Sequence, residues 1–293
     1  MTLIKMTRVC DAVEIATTVW RRAFLDAVLA PAKFRQALPE FWRASSMLFH
    51  RGIASLPLAQ VPASESPIRM LSSGWLPGST PPQDLYALLR IVRWLEPRKI
   101  FEIGTSQGIT TAHLALNSEA EIYTLDLPRE LASNLRGYSA GDLGLLQPQE
   151  QIGEHYRRFN DRGQVHQLFG DSRIFDDQAY QGSMDLVLVD GCHVYEGVLA
   201  DSEKAFHLLG ENGAILWHDF ANLREVTRAV SRVAKSHTIF HLEGTWLALY
   251  VRGARLLEAL PATPDPGRNL DARQRGVAAL GMFPRNPGLE IRF

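Results

Sequence analysis

A doubly wound α/β fold is what this sequence predicts: a mostly parallel, seven-stranded sheet ending in an antiparallel strand. Three observations carry that expectation. Between residues 100 and 235, short apolar runs of strand length alternate with longer amphipathic stretches, the pattern of a parallel sheet covered on both faces. The first run, Ile100-Phe101-Glu102-Ile103, passes into the turn Gly104-Thr105-Ser106-Gln107-Gly108, and a helical stretch follows at once. The last two runs, 238–242 and 246–251, are separated only by Glu243, Gly244 and Thr245. That gap is too short for a crossover helix and permits an antiparallel pair.

Ahead of the sheet, residues 11–29 place Val13, Ala16, Val19, Trp20, Ala23, Phe24, Ala27 and Val28 at helical spacing, with Pro31 just beyond. Residues 33–49 form a second helical stretch containing Phe34, Phe41, Trp42 and Phe49. Together they predict an N-terminal helical arm, residues 1–55. So many large apolar groups call for cover from the rest of the chain or from a second subunit, and a homodimer is expected. Residues 56–82 are rich in Pro, Ser and Gly and read as a connector or lid. The main domain is expected over 83–252. It opens with an amphipathic helix at 82–95 (Leu85, Leu88, Leu89, Val92, Leu95) that Pro97 stops. Strands are predicted at 100–103, 121–127, 165–169, 184–189 and 214–218, and helices at 109–116, 148–159, 194–209 and 222–235. Residues 253–293 form a Pro- and Arg-rich tail.

Composition narrows the function. A chain of 293 residues, 46% hydrophobic, can bury a full core. A net charge of -1 offers no long-range attraction to nucleic acid or to an anionic membrane. Cys10 and Cys192 are too few for a disulfide framework and too far apart for a metal knuckle. No apolar run is long enough to span a bilayer, and residues 1–14 lack the apolar core of a leader. A soluble, cytoplasmic protein acting on a small molecule is expected.

Open α/β sheets bind ligands outside the carboxyl ends of their strands. The first strand offers Glu102, Gly104, Thr105, Ser106 and Gly108. Its G-x-x-x-G spacing departs from the dinucleotide pattern G-x-G-x-x-G, and an acid two places before the first glycine suits a ligand bearing an amino group. Both features point to S-adenosylmethionine (SAM) and away from NAD. The second strand ends in Asp126 and Leu127, where a carboxylate can accept from the two hydroxyls of a ribose. The third ends in Gly170-Asp171-Ser172, able to accept from an adenine amino group.

The fourth and fifth strand ends carry Asp190 and His193, and His218 and Asp219. Neighbouring parallel strands lie about 4.8 Å apart, so Asp190 and Asp219 can meet above the sheet. Two carboxylates with an imidazole suit a divalent ion, Mg²⁺, or Mn²⁺ where His joins. They equally suit a metal-free site in which His193 or His218 is the base. Asp190 is also placed to cap the helix that follows.

With Asp190-Gly191-Cys192-His193-Val194-Tyr195-Glu196 running on to Asp201, and with His218-Asp219 closing the next strand, the chain resembles class I SAM-dependent methyltransferases. The likeness is to the small-molecule O-methyltransferase group that carries D-G-x-H-x-Y-E and H-D motifs, and it covers roughly residues 79–252. The resemblance implies a Rossmann-like methyltransferase fold. It also implies that Glu102, Gly104 and Gly108 surround the methionine part of SAM, that Asp126 holds the ribose, and that Asp171 and Ser172 approach the adenine. Metal-dependent relatives present an Asp-Asn pair at the fifth strand end, whereas Phe220 follows Asp219 here and Asn222 lies three residues on. The expected activity is O-methylation of a small hydroxylated metabolite: a sugar, a polyketide or a phenol. A non-catalytic SAM-binding scaffold and an N-methyltransferase are the alternatives.

Overall fold

The computed structural model describes residues 53–71, 79–132, 138–160 and 162–260. These belong to one of two units into which the chain divides, Ser46–Pro264; the other, Met1–Ser45 with Asp265–Phe293, lies outside the described residues. The helices predicted at 11–29 and 33–49, and the tail past residue 260, therefore also lie outside them. The described elements are β1 (Ala54–Leu56), α1 (Pro82–Leu95), β2 (Lys99–Ile103), α2 (Ile109–Asn117), β3 (Glu121–Asp126), α3 (Ala140–Leu145), α4 (Glu154–Arg157), β4 (Val165–Phe169), β5 (Met184–Val189), α5 (Tyr195–Leu208), β6 (Leu209–Trp217), α6 (Arg224–Val233), β7 (Ile239–Leu242), β8 (Ala248–Arg252) and α7 (Ala254–Ala259).

The strands form one sheet in the order β1-β7-β8-β6-β5-β2-β3-β4. Every pairing is parallel except those of β8, which runs antiparallel to both β6 and β7. The sheet therefore has eight strands, not the seven predicted. The additional one, β1, pairs parallel with β7 through only Ala54, Ser55 and Leu56. Three residues hold no readable period, and the strand exists because β7 offers an open edge. A second difference lies at 148–159. There Gly153, with φ +73°, starts a helix of four residues where twelve were expected.

Alternate residues of the central strands are buried on opposite faces, as a two-sided parallel sheet requires. Ile100, Ile122, Leu186, Leu188 and Leu216 pack with Leu88, Ile91 and Leu114 of α1 and α2. Phe101, Ile103, Val187, Val189, Ile215 and Trp217 pack with Val198, Leu208 and Val230 of α5 and α6. α1 begins at Pro82, preceded by Pro81 at the cap, where a missing N–H costs nothing. It ends on Glu96 in the left-handed region just before Pro97.

The connectivity fixes where a ligand can bind. From β2 the chain winds outward through β3 to β4, then returns to place β5 on the other side of β2. The β2/β5 boundary is thus the topological switch point. Backbone bonds continue just past the strand ends: Gly104 N–H donates to Leu125 O (2.8 Å), Asp190 N–H to Ile103 O (2.8 Å), and His218 N–H to Val189 O (3.0 Å). The turns that follow are held in register by these bonds.

Phe101 is fully buried at the centre of the α5/α6 face, edge-on to Tyr180 at 5.4 Å. Phe101→Ala should cost about 3–5 kcal/mol in urea unfolding, the range for a large ring removed from a packed core. A loss below about 1 kcal/mol would place Phe101 outside the core.

Candidate functional site

The glycine turn and the Asp190 turn meet at the switch point with no room between them. A Cβ on Gly104, whose φ is +104°, would lie 2.0 Å from Asp190 O. Only glycine lets these two backbones approach so closely. Gly108 (φ +79°) is closed in the same way, because a Cβ there would come within 2.8 Å of Gly153 Cα and of the Tyr156 ring. Gly153 and His155 add backbone bonds to Ser106 O (2.8 Å) and Gln107 O (2.9 Å), which pin the turn from above.

A polar layer lies beneath the turn. Gln167 Nε2 donates to Thr105 Oγ1 (2.9 Å), the Thr105 and Thr124 hydroxyls are 2.7 Å apart, and Thr124 donates to Glu102 Oε2 (2.6 Å). Thr111 of α2 donates to the same oxygen (2.5 Å). Glu102 is fully buried, and its Oε1 has no hydrogen-bond partner. Burial pushes its carboxyl up to about 8; the two threonine bonds oppose this, and the charges of Asp190 and Asp126 add to it. Asp126 accepts from Ser106 N–H, tying the end of β3 to the turn. Burial raises its carboxyl too, against backbone bonds from Ser106, Leu127 and Thr105. Gly170 N–H donates to Asp126 O (2.8 Å). Asp171, beyond it, is engaged by Arg173 through Nε (2.9 and 3.1 Å) and Nη2, while Arg173 lies 4.5 Å over the Tyr138 ring. Ser172 is half-buried next to it.

The second constellation gathers at the ends of β5 and β6. Val189 pairs with Trp217, so the residues just past them, Asp190 and His218, are neighbours. His218 Nδ1 is 3.1 Å from Asp190 Oδ1 and 3.6 Å from Asp219 Oδ2. His193 Nε2 is 3.2 Å from Asp219 Oδ2. Asp219 has φ +57°, a left-handed conformation that Asp tolerates better than most residues. Donor atoms of Asp190, His193 and Asp219 all lie within 4.8 Å of one another. Asn222 donates to Asp219 Oδ1 (2.6 Å) and so orients the carboxylate.

Two further carboxylates complete this site, and sequence reasoning missed both. Asp84, fully buried on α1, is 3.1 Å from His218 Nε2 and accepts from Trp246 N–H (3.2 Å). Asp142 is 2.7 Å from His193 Nδ1 and forms a capping box with Ser139 at the start of α3. Each imidazole is thus held between carboxylates through both nitrogens. Burial works against a charged His193, but bonds to Asp142 and Asp219 and the charge of Asp190 push it up to about 10. His218 is raised well above its usual value in the face of burial, by the charges of Asp190 and Asp219. Burial would raise Asp142, yet His193 and Ser139 hold it at about 2. Asp219 is likewise kept far below the usual carboxylate range, against burial, by His218 and His193. The surrounding carboxylates thus favour the protonated form of both rings.

Residues 101–220 match a family model described as a methyltransferase domain. The matched segment holds every strand-end residue above, from Glu102 to Asp219, and leaves out Asp84. It covers less than half of the chain. No curated protein matches the sequence. Among solved structures, the chain is similar to the O-methyltransferase TomG from Streptomyces achromogenes, in complex with SAM. Identity is 16%, the TM-score is 0.45, and the alignment covers 61% of this chain and 84% of that one. An O-methyltransferase from Bacillus cereus, in complex with SAH, is also 16% identical with a TM-score of 0.44, over 60% and 84% of the two chains. A cofactor-bound protein from MTB is 19% identical over 78% of this chain and 94% of its own, with a TM-score of 0.41. At these identities and TM-scores no shared substrate follows.

The buried acid under the turn makes stability depend on pH. Glu102 has its folded pKa raised, so the folded state binds its proton more tightly than the unfolded chain does. Its burial costs nothing below pH 4.5, and the penalty grows as pH rises through about 8. Glu102→Gln should remove up to about 5 kcal/mol of that penalty, at 1.36 kcal/mol per pKa unit. In paired urea titrations at pH 5 and pH 9, the variant should lose less stability than the parent across the interval. Equal losses would show that Glu102 titrates normally.

Proposed function

We propose that the protein is a SAM-dependent O-methyltransferase for a small hydroxylated metabolite, with Asp190, His193 and Asp219 holding a divalent metal ion. The observation that carries this is the meeting of those three side chains beside the glycine turn, on the ligand-binding edge of a domain that matches methyltransferases. The donor set of two carboxylate oxygens and one imidazole nitrogen fits Mg²⁺ or, better, Mn²⁺. Glu102 Oε1, buried without a partner, fits SAM in kind: it is an acceptor awaiting a donor such as the ammonium of an amino acid. Asp126 would hold the ribose. Asp171, already engaged by Arg173, and Ser172 would edge the adenine.

SAM supplies the electrophilic methyl group, and a divalent ion supplies a Lewis acid that makes an alcohol acidic near neutral pH. The chain's own residues supply position and charge. Gly104 and Gly108 close the turn, which would hold the amino-acid end of the cofactor beside Glu102. Asp142 holds the Nδ1 proton of His193 and so directs Nε2 at Asp219; Asp84 does the same for His218 through Nε2. Surrounded by carboxylates alone, both imidazoles favour the protonated form, which argues against the metal-free base; a divalent ion would displace the proton from His193 Nε2 and take the lone pair so freed. The full chain is proposed to be a homodimer, because the large apolar groups of residues 1–55 call for cover.

Two tests follow. Asp219→Asn should lower kcat by about 100-fold or more while SAM affinity by calorimetry stays within about threefold, and EDTA should abolish turnover that Mn²⁺ or Mg²⁺ restores. Full activity in EDTA would remove the metal from the proposal. Light scattering of the full chain should give twice 32.8 kDa; a clean monomer would end the dimer assignment.

A further inference from the structure

At the opposite end of the sheet from the glycine turn, where α2 ends and β3 begins, lies a cleft of about 380 Å³. Three arginines line it: Arg69, Arg93 of α1, and Arg162 from the loop before β4. Glu119 is the one carboxylate in the lining, so two positive charges are left over. Phe159 contributes an apolar wall.

The position of each arginine has a local cause. Arg162 pairs with Glu119 and donates to Ala115 O (3.0 Å) and Ser118 O (3.4 Å), carbonyls left open at the end of α2. Arg93 donates through Nη2 to Pro67 O (2.7 Å) and Asn117 Oδ1 (3.4 Å). Asn117 also clamps the backbone of Arg69, accepting from its N–H (2.8 Å) and donating to its carbonyl (2.8 Å). These bonds fix the guanidinium groups of Arg93 and Arg162 and the backbone of Arg69. Arg93 Nε is buried with no partner. Among the described residues the Arg69 guanidinium has none either. Like charges lining a concave surface repel one another while focusing a positive field. A bound anion relieves that repulsion. Guanidinium forks match the oxygen spacing of phosphate, and the cleft is within the range of about 300–1,000 Å³ typical of small-ligand sites.

We infer that this cleft binds a small phosphorylated molecule, its phosphate held among Arg69, Arg93 and Arg162. The site is separate from the strand edge that carries Asp190 and Asp219, and it stands whether or not the proposed activity does.

Calorimetric titration of the full chain with inorganic pyrophosphate, at fixed ionic strength in chloride, tests the assignment. Saturable binding of one equivalent is expected, at least tenfold weaker in Arg69→Gln and in Arg162→Gln. Arg69→Gln should melt at the parent's temperature, because its guanidinium holds no group among the described residues, so lost binding in that variant is not lost folding. Absence of saturable binding in the parent, or equal affinity in Arg69→Gln, overturns the site. Citrate binding as tightly as pyrophosphate overturns the phosphate assignment in favour of carboxylates.

Discussion

The close approach of Gly104 to the carbonyl of Asp190 is the constraint on which the rest of the site depends. Strand β2 is flanked by β3 and β5, so the chain leaving β2 must turn between the ends of its neighbours. The turn can lie flat against β5 because Gly104 has no side chain to meet Asp190 O. With the turn seated there, Ser106 reaches Asp126, Thr105 reaches Thr124 and Gln167, and α2 begins at a height that brings Thr111 to Glu102. A larger residue at 104 would part the two loops and uncouple the glycine turn from the Asp-His cluster. In the proposed reaction, cofactor and acceptor would meet across that same junction.

Charge is the second organising fact. Four carboxylates, Asp84, Asp142, Asp190 and Asp219, surround two imidazoles in a largely buried volume. Buried carboxylates this close would hold protons if left to themselves. Here the imidazoles lower the carboxyls of Asp142 and Asp219, and the cluster's carboxylates in turn favour the charged form of both rings. Such mutual support is strong only while every member keeps its partners. It explains why α1, α3 and the β7–β8 turn, three separate parts of the chain, each contribute one group to the cluster.

The parts of this arrangement legible in the sequence are those that lie at strand ends. Asp190 and Asp219 follow apolar runs of strand length, and parallel pairing of β5 with β6 leaves them few other places to be. The turn after β2 was readable from Gly104 and Gly108. Asp84 and Asp142 were not readable, for a plain reason. Each sits in a helix where an acid near the N-terminus is ordinary, and only the tertiary fold brings α1 and α3 over the sheet edge. Glu102 was singled out as a ligand, but nothing local shows that two threonines from different elements would enclose it. The turn holding Asp171 can accept from an adenine amino group as far as the sequence shows; in the structure its neighbour Arg173 engages Asp171 by a contact only two residues long, which favours the local partner. β1 was invisible because an edge strand of three residues is defined by the strand it joins.

The sequence after Asp219 shows how a missing motif residue can be made good by backbone geometry. With Phe220 in place of Asn, the next side chain goes fully into the α5/α6 core and cannot serve the site. Asp219 and Ala221 both take positive φ, and Ala221 N–H donates to Thr227 Oγ1 (3.0 Å), so the chain doubles back tightly. Asn222 then returns beneath Asp219 and donates to its Oδ1 at 2.6 Å. That bond occupies one carboxylate oxygen and leaves Oδ2 facing His193 and His218. An asparagine in the next position could add a ligand atom of its own. Placed three residues on, it fixes the direction of Asp219 instead, and in the proposed metal site His193, held by Asp142, would provide the third donor.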